Sequence, residues 1–559
     1  MADLPNSPEE LGLLGFPDWR QHQKEIVSDI LDSFQTNSVV LVEAPTGAGK
    51  TIIGAATSRA LGGGATYLAH TIMLQEQQLR TLPDAVTVTG RRNHPCLLPM
   101  AGALNLTAED ADCPCELAEP QGCSYYRQWF ASMNARDVAL NYAFMVRIVK
   151  ANGIKVADGW GTQGEDRNVI PNPFVGRKLM VCDEGHNLEA ALLSADAVEV
   201  YQASFERYGF KIPQGTDFLS WLQWATGLAP VLEERYKESK TALGKALMEG
   251  NLSADGFKEG SRLKGLIQTL ANIKDLSGIA SHGGEQSVFV GRRPFGFIIQ
   301  PIWAWNRAHR LLFAHAENVM VMSATLGRPG LMARLLGLDS WDHLKIPSTF
   351  PVANRPVFYW PVSKMKYNMP EIDKQKQVVA LVTLANKFPN SAGLVHTNSY
   401  PLAKYLWEQA ARYDQEVFAR MILSTSSTRV ADFADFEKNP GNRILLTPAA
   451  TTGVDWDFLG WQMIPKVPYG DLSDDITRLR YDYQTDEGEP LGKEVYQNEA
   501  VKTIVQACGR GVRSATSKCV TVITDGAFWP LFKYTAADAF PDWFRPAVQW
   551  YEPKTGKEK

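Results

Sequence analysis

The chain has 559 residues, 45% of them hydrophobic and 21% charged, and a formal net charge of −4. That length allows about three or four domains with cores of their own, and the charge excludes a general polyanion-coating protein without excluding a local nucleic-acid channel. No apolar run reaches the roughly 18 residues of a membrane helix, and the acidic start Met1-Ala2-Asp3-Leu4-Pro5 lacks a signal-peptide pattern, so a cytoplasmic protein with no membrane partner is expected.

The first strand-like run, Ser38–Val42, feeds into Glu43-Ala44-Pro45-Thr46-Gly47-Ala48-Gly49-Lys50-Thr51, and a helix-like Ile52–Ala56 follows. Strand, glycine loop and helix in that order make a phosphate-binding loop. Its small residues let backbone N–H groups curl around phosphate oxygens at the positive end of the helix. Lys50 can reach the β- and γ-phosphates, and the Thr51 hydroxyl can hold Mg²⁺. One departure is Ala44, where the general pattern has glycine. A nucleoside triphosphate is the expected ligand.

A second strand-like run, Thr66–Leu68, precedes a window of about residues 91 to 140 that holds Cys96, Cys113, Cys115 and Cys123, while Cys182, Cys508 and Cys519 are scattered. Clustered cysteines in a cytoplasmic ATPase point to a metal or cluster site rather than disulfides. Strand-like Lys178–Cys182 then ends in Asp183-Glu184-Gly185-His186. After a buried strand, Asp183 would hold Mg²⁺ and Glu184 would orient or deprotonate the attacking water.

Residues 190 to 295 break the α/β rhythm and read mostly as helix, with Leu263, Leu266, Ile267, Leu270 and Ile273 at the spacing of a packed stripe. Gly283-Gly284 and Gly291 mark a turn-rich return into Phe295–Ile299. Strand-like runs resume at Asn318–Met322, Gly393–His396, Arg443–Leu446 and Cys519–Ile523, which indicates parallel α/β sheets. Before the last run, Gln506-Ala507-Cys508-Gly509-Arg510-Gly511-Val512-Arg513 places two arginines at i and i+3. On a helix they would share a face and aim both guanidinium groups at one γ-phosphate.

Together these segments resemble the XPD/DinG-like superfamily 2 DNA helicases over nearly the whole chain. The loop written A-x-T-G-x-G-K-T is the superfamily variant. Arg20-Gln21-His22-Gln23 resembles the R-x-x-Q adenine-recognition motif, and Thr71–Gln77 resembles motif Ia. Asp183–His186 resembles motif II, Ser323-Ala324-Thr325 motif III and Leu394–Tyr400 motif IV. Thr451-Thr452-Gly453-Val454-Asp455 resembles motif V, and Gln506–Arg513 motif VI. The cysteine window sits where the family inserts a [4Fe–4S] domain, and four thiolates are a normal ligand set for such a cluster. Its spacing, C-x16-C-x-C-x7-C, is tighter in the middle than is usual, with Pro114 able to bend the pair. A zinc site on the same thiols is the competing reading.

The resemblance implies two RecA-like domains with parallel sheets, a small Fe–S insertion and a mainly helical arch insertion, both in the first domain. The expected limits are 1–90, 141–189 and 296–333 for the first domain, 91–140 for the Fe–S domain, 190–295 for the arch and 334–559 for the second domain. ATP would be held by Arg20, Gln23, residues 44–51, Asp183, Asp455 and Gln506, with Lys50, Asp183, Glu184, Arg510 and Arg513 catalytic. The segment from Asp525 to Trp550 resembles the family's closing helix, its aromatics packed in the core. A monomer is expected, translocating 5′ to 3′ on single-stranded DNA and opening forked or 5′-tailed duplexes. A DNA-stimulated ATPase that remodels protein–DNA complexes or R-loops, and a redox-responsive binding protein, are the alternatives. Pathway, whether repair or replication, is not encoded in the motifs.

Overall fold

The computed structural model describes residues 4–97, 105–110, 123–151, 174, 176–249, 253–283, 287–305, 307–366, 368–449, 456–512, 514 and 516–551. The first strands are β1 (Val39–Glu43), β2 (Ala65–Ala69), β3 (Val86–Thr87), β4 (Val138–Asn141) and β5 (Arg177–Cys182). An insertion supplies β6 (Val198–Tyr201), β7 (Val288–Arg293) and β8 (Gly296–Pro301), before β9 (Ala316–Ser323) and β10 (Trp341–Lys345) return. The second half carries β11 (Val357–Ser363), β12 (Ala392–His396), β13 (Met421–Leu423), β14 (Ile444–Thr447), β15 (Leu459–Ile464), β16 (Val520–Asp525) and β17 (Val548–Trp550).

These strands form two seven-stranded sheets among the described residues, in the orders β10-β1-β9-β5-β2-β4-β3 and β13-β14-β12-β15-β16-β11-β17. Their pairings are parallel throughout. Parallel sheets are covered on both faces, which is why Val39–Glu43, Ala65–Ala69 and Ala392–His396 are buried at every position. This is the expected pair of RecA-like α/β domains. The first ends later than residue 333, because β10 joins its sheet edge and carries it to Lys345.

The arch-like insertion is built on the antiparallel sheet β6-β8-β7, with the helices Phe218–Glu249 and Ala254–Asp275 against it. The leucine stripe lies in its core with fully buried Trp221. The expected limit at 295 falls inside a hairpin, since β7 and β8 pair directly across Arg293 and Gly296. Gly291, expected in a turn, lies within β7, and the turn falls at Pro294 and Phe295. At the stem, Arg307 pairs with buried Asp196 and donates to Asp275 at 2.9 Å, and Arg310 donates to Asp275 at 2.7 Å. These ion pairs tie the end of the long helix to the first domain.

The segment from Asp525 to Trp550, expected as a closing helix, is not one continuous helix. After β16 it runs through short turns that bury Phe528, Phe532, Phe540 and Phe544, then adds β17 to the sheet edge beside β11. The aromatics fill the core as expected, but Pro530, Pro541 and Pro546 interrupt any longer helix.

Candidate nucleotide site and domain cleft

In the first sheet β1, β9 and β5 are neighbours, so the segments after their C-terminal ends converge. That is where open α/β sheets place ligands. The glycine loop follows β1, Ser323-Ala324-Thr325 ends β9 and Asp183-Glu184 follows β5. The Ala44 N–H donates to the Ser323 carbonyl at 2.8 Å, locking the start of the loop to β9. Gly47 and Gly49 have φ of 88° and 76°. A Cβ on Gly49 would stand 2.3 Å from the Gln23 amide, so this position needs glycine both for its backbone and for its neighbour.

Arg20 and Gln23 brace that loop from behind. Arg20 donates to the Gly47 carbonyl at 3.1 Å, and buried Gln23 donates to the Ala48 carbonyl at 2.9 Å while accepting the Arg20 N–H. Beside them, a cavity of about 270 Å³ is lined by Arg20, Gln21, Pro45 and Gly47 on one side and Ile346, Pro347 and Thr349 on the other. Lys50 and Thr51 open the helix Lys50–Ala60, whose N-terminus faces the phosphate position.

Burial and the adjacent Glu184 carboxylate raise the Asp183 pKa, while Lys50 lowers it. A divalent cation between Asp183 and Thr51 would restore full ionisation, so the donor set suits Mg²⁺. Glu184 sits in a left-handed conformation, φ 50°, an unfavourable one for a non-glycine residue. Its carboxylate lies 3.3 Å from His186 Nδ1, which also meets the Ser323 hydroxyl at 2.8 Å. Burial holds the His186 pKa down at about 3, so the ring is neutral and cannot neutralise Glu184.

The second domain reaches this site with the helix Leu491–Cys508. Lys502 donates to the His186 carbonyl at 3.0 Å, and Gln506 donates to the Thr325 hydroxyl at 3.2 Å. Beyond the helix, Cys508, Gly509 and Val512 face Pro45 and Thr46 across a gap of about 30 Å³. Arg510 does not lie on a helix, as the spacing had suggested. The helix stops at Cys508, and Arg510 occupies the following turn. A side chain at Gly511 would run into Cys519, 2.3 Å from its Sγ, so the turn needs glycine there. Arg513 and Asp455 lie outside the described residues, as do Cys113 and Cys115.

Cys96 and Cys123 are buried free thiols at the two ends of the cysteine window. His94 Nδ1 meets the Ser124 hydroxyl at 2.9 Å, which ties the ends together. Several contributors are silent in the motif reading. Gln78 donates to the Asp183 carboxylate at 3.4 Å, and the Tyr142 hydroxyl donates to the Asp183 carbonyl at 2.8 Å. In the second sheet, Gln462 joins His396 to the Cys508 carbonyl and the Thr521 hydroxyl. Two of these had a sequence signal. Gln78 stands one turn beyond Gln75, and Lys502 stands one turn before Gln506, each on the motif's own helix face.

Residues 381–547 match the helicase C-terminal domain family, and residues 16–111 match the res subunit domain of type III restriction enzymes. No curated protein matches the chain by sequence. Among solved structures, one described as an XPD helicase is 16% identical with a TM-score of 0.60, covering 95% of this chain and 99% of its own. The S. tokodaii Xpd4 structure is 14% identical with a TM-score of 0.56, covering 95% and 100% respectively. In fold the chain is similar to these XPD structures, with two RecA-like α/β domains, and its two halves carry separate matches to helicase-type domain families.

Proposed function

We propose that the protein is an ATP-hydrolysing DNA helicase that tracks single-stranded DNA 5′ to 3′ and opens duplexes carrying a 5′ tail, working in the cytoplasm. The observation that carries this reading is the shared cleft. One helix of the second domain contacts both the motif II carbonyl and the motif III hydroxyl, facing the phosphate loop. Loop N–H groups and Lys50 bind the phosphates, with Thr51 and Asp183 as the residues that would hold Mg²⁺ and Asp455 of the motif V segment as a further nucleotide-binding residue. Mg²⁺ bound there neutralises phosphate charge. Glu184, held in a left-handed backbone conformation after β5, orients the attacking water and takes its proton. Gln506, Arg510 and Arg513 meet the γ-phosphate from the second domain, so ATP draws the domains together and hydrolysis releases them. Alternating grip moves the strand, chiefly through phosphate contacts that weaken with salt.

The same reading assigns a [4Fe–4S] cluster to Cys96, Cys113, Cys115 and Cys123. The buried thiols of Cys96 and Cys123 are suitable donors, and Cys123 stands at the N-cap of the helix Ser124–Asn134. Bound, the cluster would cross-link the two ends of this insertion.

ATP hydrolysis by the wild type and by Lys50→Ala, each with and without single-stranded DNA, tests the proposal. The wild type should be stimulated by DNA; Lys50→Ala should fall to background yet still bind the strand. Turnover by Lys50→Ala at the wild-type rate would overturn the ATPase assignment. A wild type indifferent to DNA would favour the redox binder.

A further inference from the structure

Where the arch stem re-enters the first domain, Trp303 joins a small core shared by all three parts of the molecule. Phe289 comes from the arch, Leu331 and Leu335 from the first domain, and Leu491 and Val495 from the second. Trp303 and Trp305 stack with centroids 5.7 Å apart, and Tyr483 meets both edge-on. Arg480, on the short helix Asp475–Tyr481 of the second domain, lies 4.4 Å over the Trp303 ring. That helix also packs against β7 of the arch.

The same guanidinium donates to Glu189 at 2.7 Å. Glu189 is half-buried in the first turn of the helix Leu188–Asp196, which begins shortly after the Asp-Glu-Gly-His segment. Arg480 therefore touches, at once, the element leading out of the nucleotide site and the stem of the arch, from a domain that moves relative to both. A planar guanidinium can hold a carboxylate along its edge and a ring against its face, which an ammonium cannot. The buried indole N–H groups of Trp303 and Trp305 find no acceptor among the described residues. Buried donors left unpaired destabilise the packing that contains them. Such a joint favours a second arrangement over a rigid weld.

We propose that Arg480 is a positioning residue that transmits closure of the nucleotide cleft to the arch, through Glu189 on one side and Trp303 on the other. This rests on the helicase reading and adds the route by which nucleotide state reaches the strand-separating part. As the second domain swings, Arg480 must either carry Glu189 and Trp303 with it or release one of them, and either event changes how the stem sits.

The full-length protein decides this with two readouts on the wild type, Arg480→Ala, Arg480→Lys and Glu189→Gln. The first is the kcat and KM of ATP hydrolysis with and without single-stranded DNA. The second is amide hydrogen exchange of β7 and β8 with and without a non-hydrolysable ATP analogue. Arg480→Ala should keep basal kcat within about twofold yet lose at least about tenfold of its DNA stimulation, a coupling of ordinary allosteric size. The nucleotide-dependent change in exchange, present in the wild type, should vanish with it. Arg480→Lys, which keeps the charge but not the ring contact, should lose most of both. If Arg480→Ala fails to fold, Arg480→Lys and Glu189→Gln carry the same comparison. Wild-type stimulation and exchange response in a folded Arg480 variant would overturn the proposal, as would a wild type whose β7 and β8 ignore the nucleotide. A wild type with no DNA stimulation would instead overturn the helicase reading, and the exchange arm would still judge the joint.

Discussion

Glu43 is the last residue of β1, the position from which the phosphate loop departs, and it is buried. Burial pushes its pKa from 4.5 up to about 7, with Lys345 pulling it down and Asp542 pushing it up. Lys345 itself bonds Asp542 of the second domain at 2.8 Å, so this carboxyl borders the interdomain contact. The unfolded chain releases its proton near the ordinary value, whereas the folded protein holds it to about 7. The folded state therefore binds more protons in that window, and stability falls as pH rises across it. Above the window the penalty is complete, roughly 3 kcal/mol at 1.36 kcal/mol per unit. Glu43→Gln removes the titration. Its melting temperature, relative to wild type, should be higher at about pH 8 than at about pH 5, by an amount set by that linkage. An equal difference at both pH values would show that Glu43 does not change protonation on unfolding.

At the scale of elements, sequence legibility followed the periodicity and the glycines. Strands buried on both faces read as continuous apolar runs, so β1, β5, β9 and β12 were visible, and with them the turns that carry chemistry. The limits failed where a local signal had two meanings. Gly291 read as part of a turn leading into Phe295–Ile299, yet it lies inside β7, whose hairpin with β8 turns between Arg293 and Gly296; β10 was invisible because Trp341–Lys345 is only half-buried at a sheet edge. Arg510 was assigned to a helix because spacing alone cannot show that the helix ends at Cys508. Contacts such as Lys502 to His186 join residues 316 apart and leave no local trace. The cysteine insertion is the element whose chemistry the sequence states most openly. Its buried ends at Cys96 and Cys123 lead to a specific expectation. Anaerobically purified protein should be brown and hold iron with acid-labile sulfide. Cys96→Ser or Cys123→Ser should each remove both, with unwinding reduced more than ATP hydrolysis, because these thiols lie outside the nucleotide cleft. Stoichiometric zinc without sulfide would assign the thiols to a zinc site instead.

Over the whole molecule, both insertions grow from one sheet. The cysteine window lies between β3 and β4 at one edge, and the arch lies between β5 and β9 near its middle. Among the described residues the second domain shows no comparable insertion; it closes against the first through Arg328 to Asp538, Arg334 to Glu489 and Lys345 to Asp542. In the proposed function the parts that would frame a strand-separating pore belong to the first domain and the second would supply the moving grip, so that a strand would enter past the second domain and leave beneath the cysteine insertion. That order would correspond to 5′-to-3′ travel. Two duplexes identical except for a 5′ or a 3′ single-stranded tail, incubated with Mg²⁺ and ATP, test it directly. The 5′-tailed duplex should be opened and the 3′-tailed one left intact, with opening lost steeply as salt rises because phosphate contacts dominate the grip. Preference for the 3′ tail would reverse the order in which the domains hold the strand. Opening of neither duplex, alongside DNA-stimulated ATP hydrolysis, would mean that the same domain motion displaces bound proteins or R-loops rather than splitting a duplex.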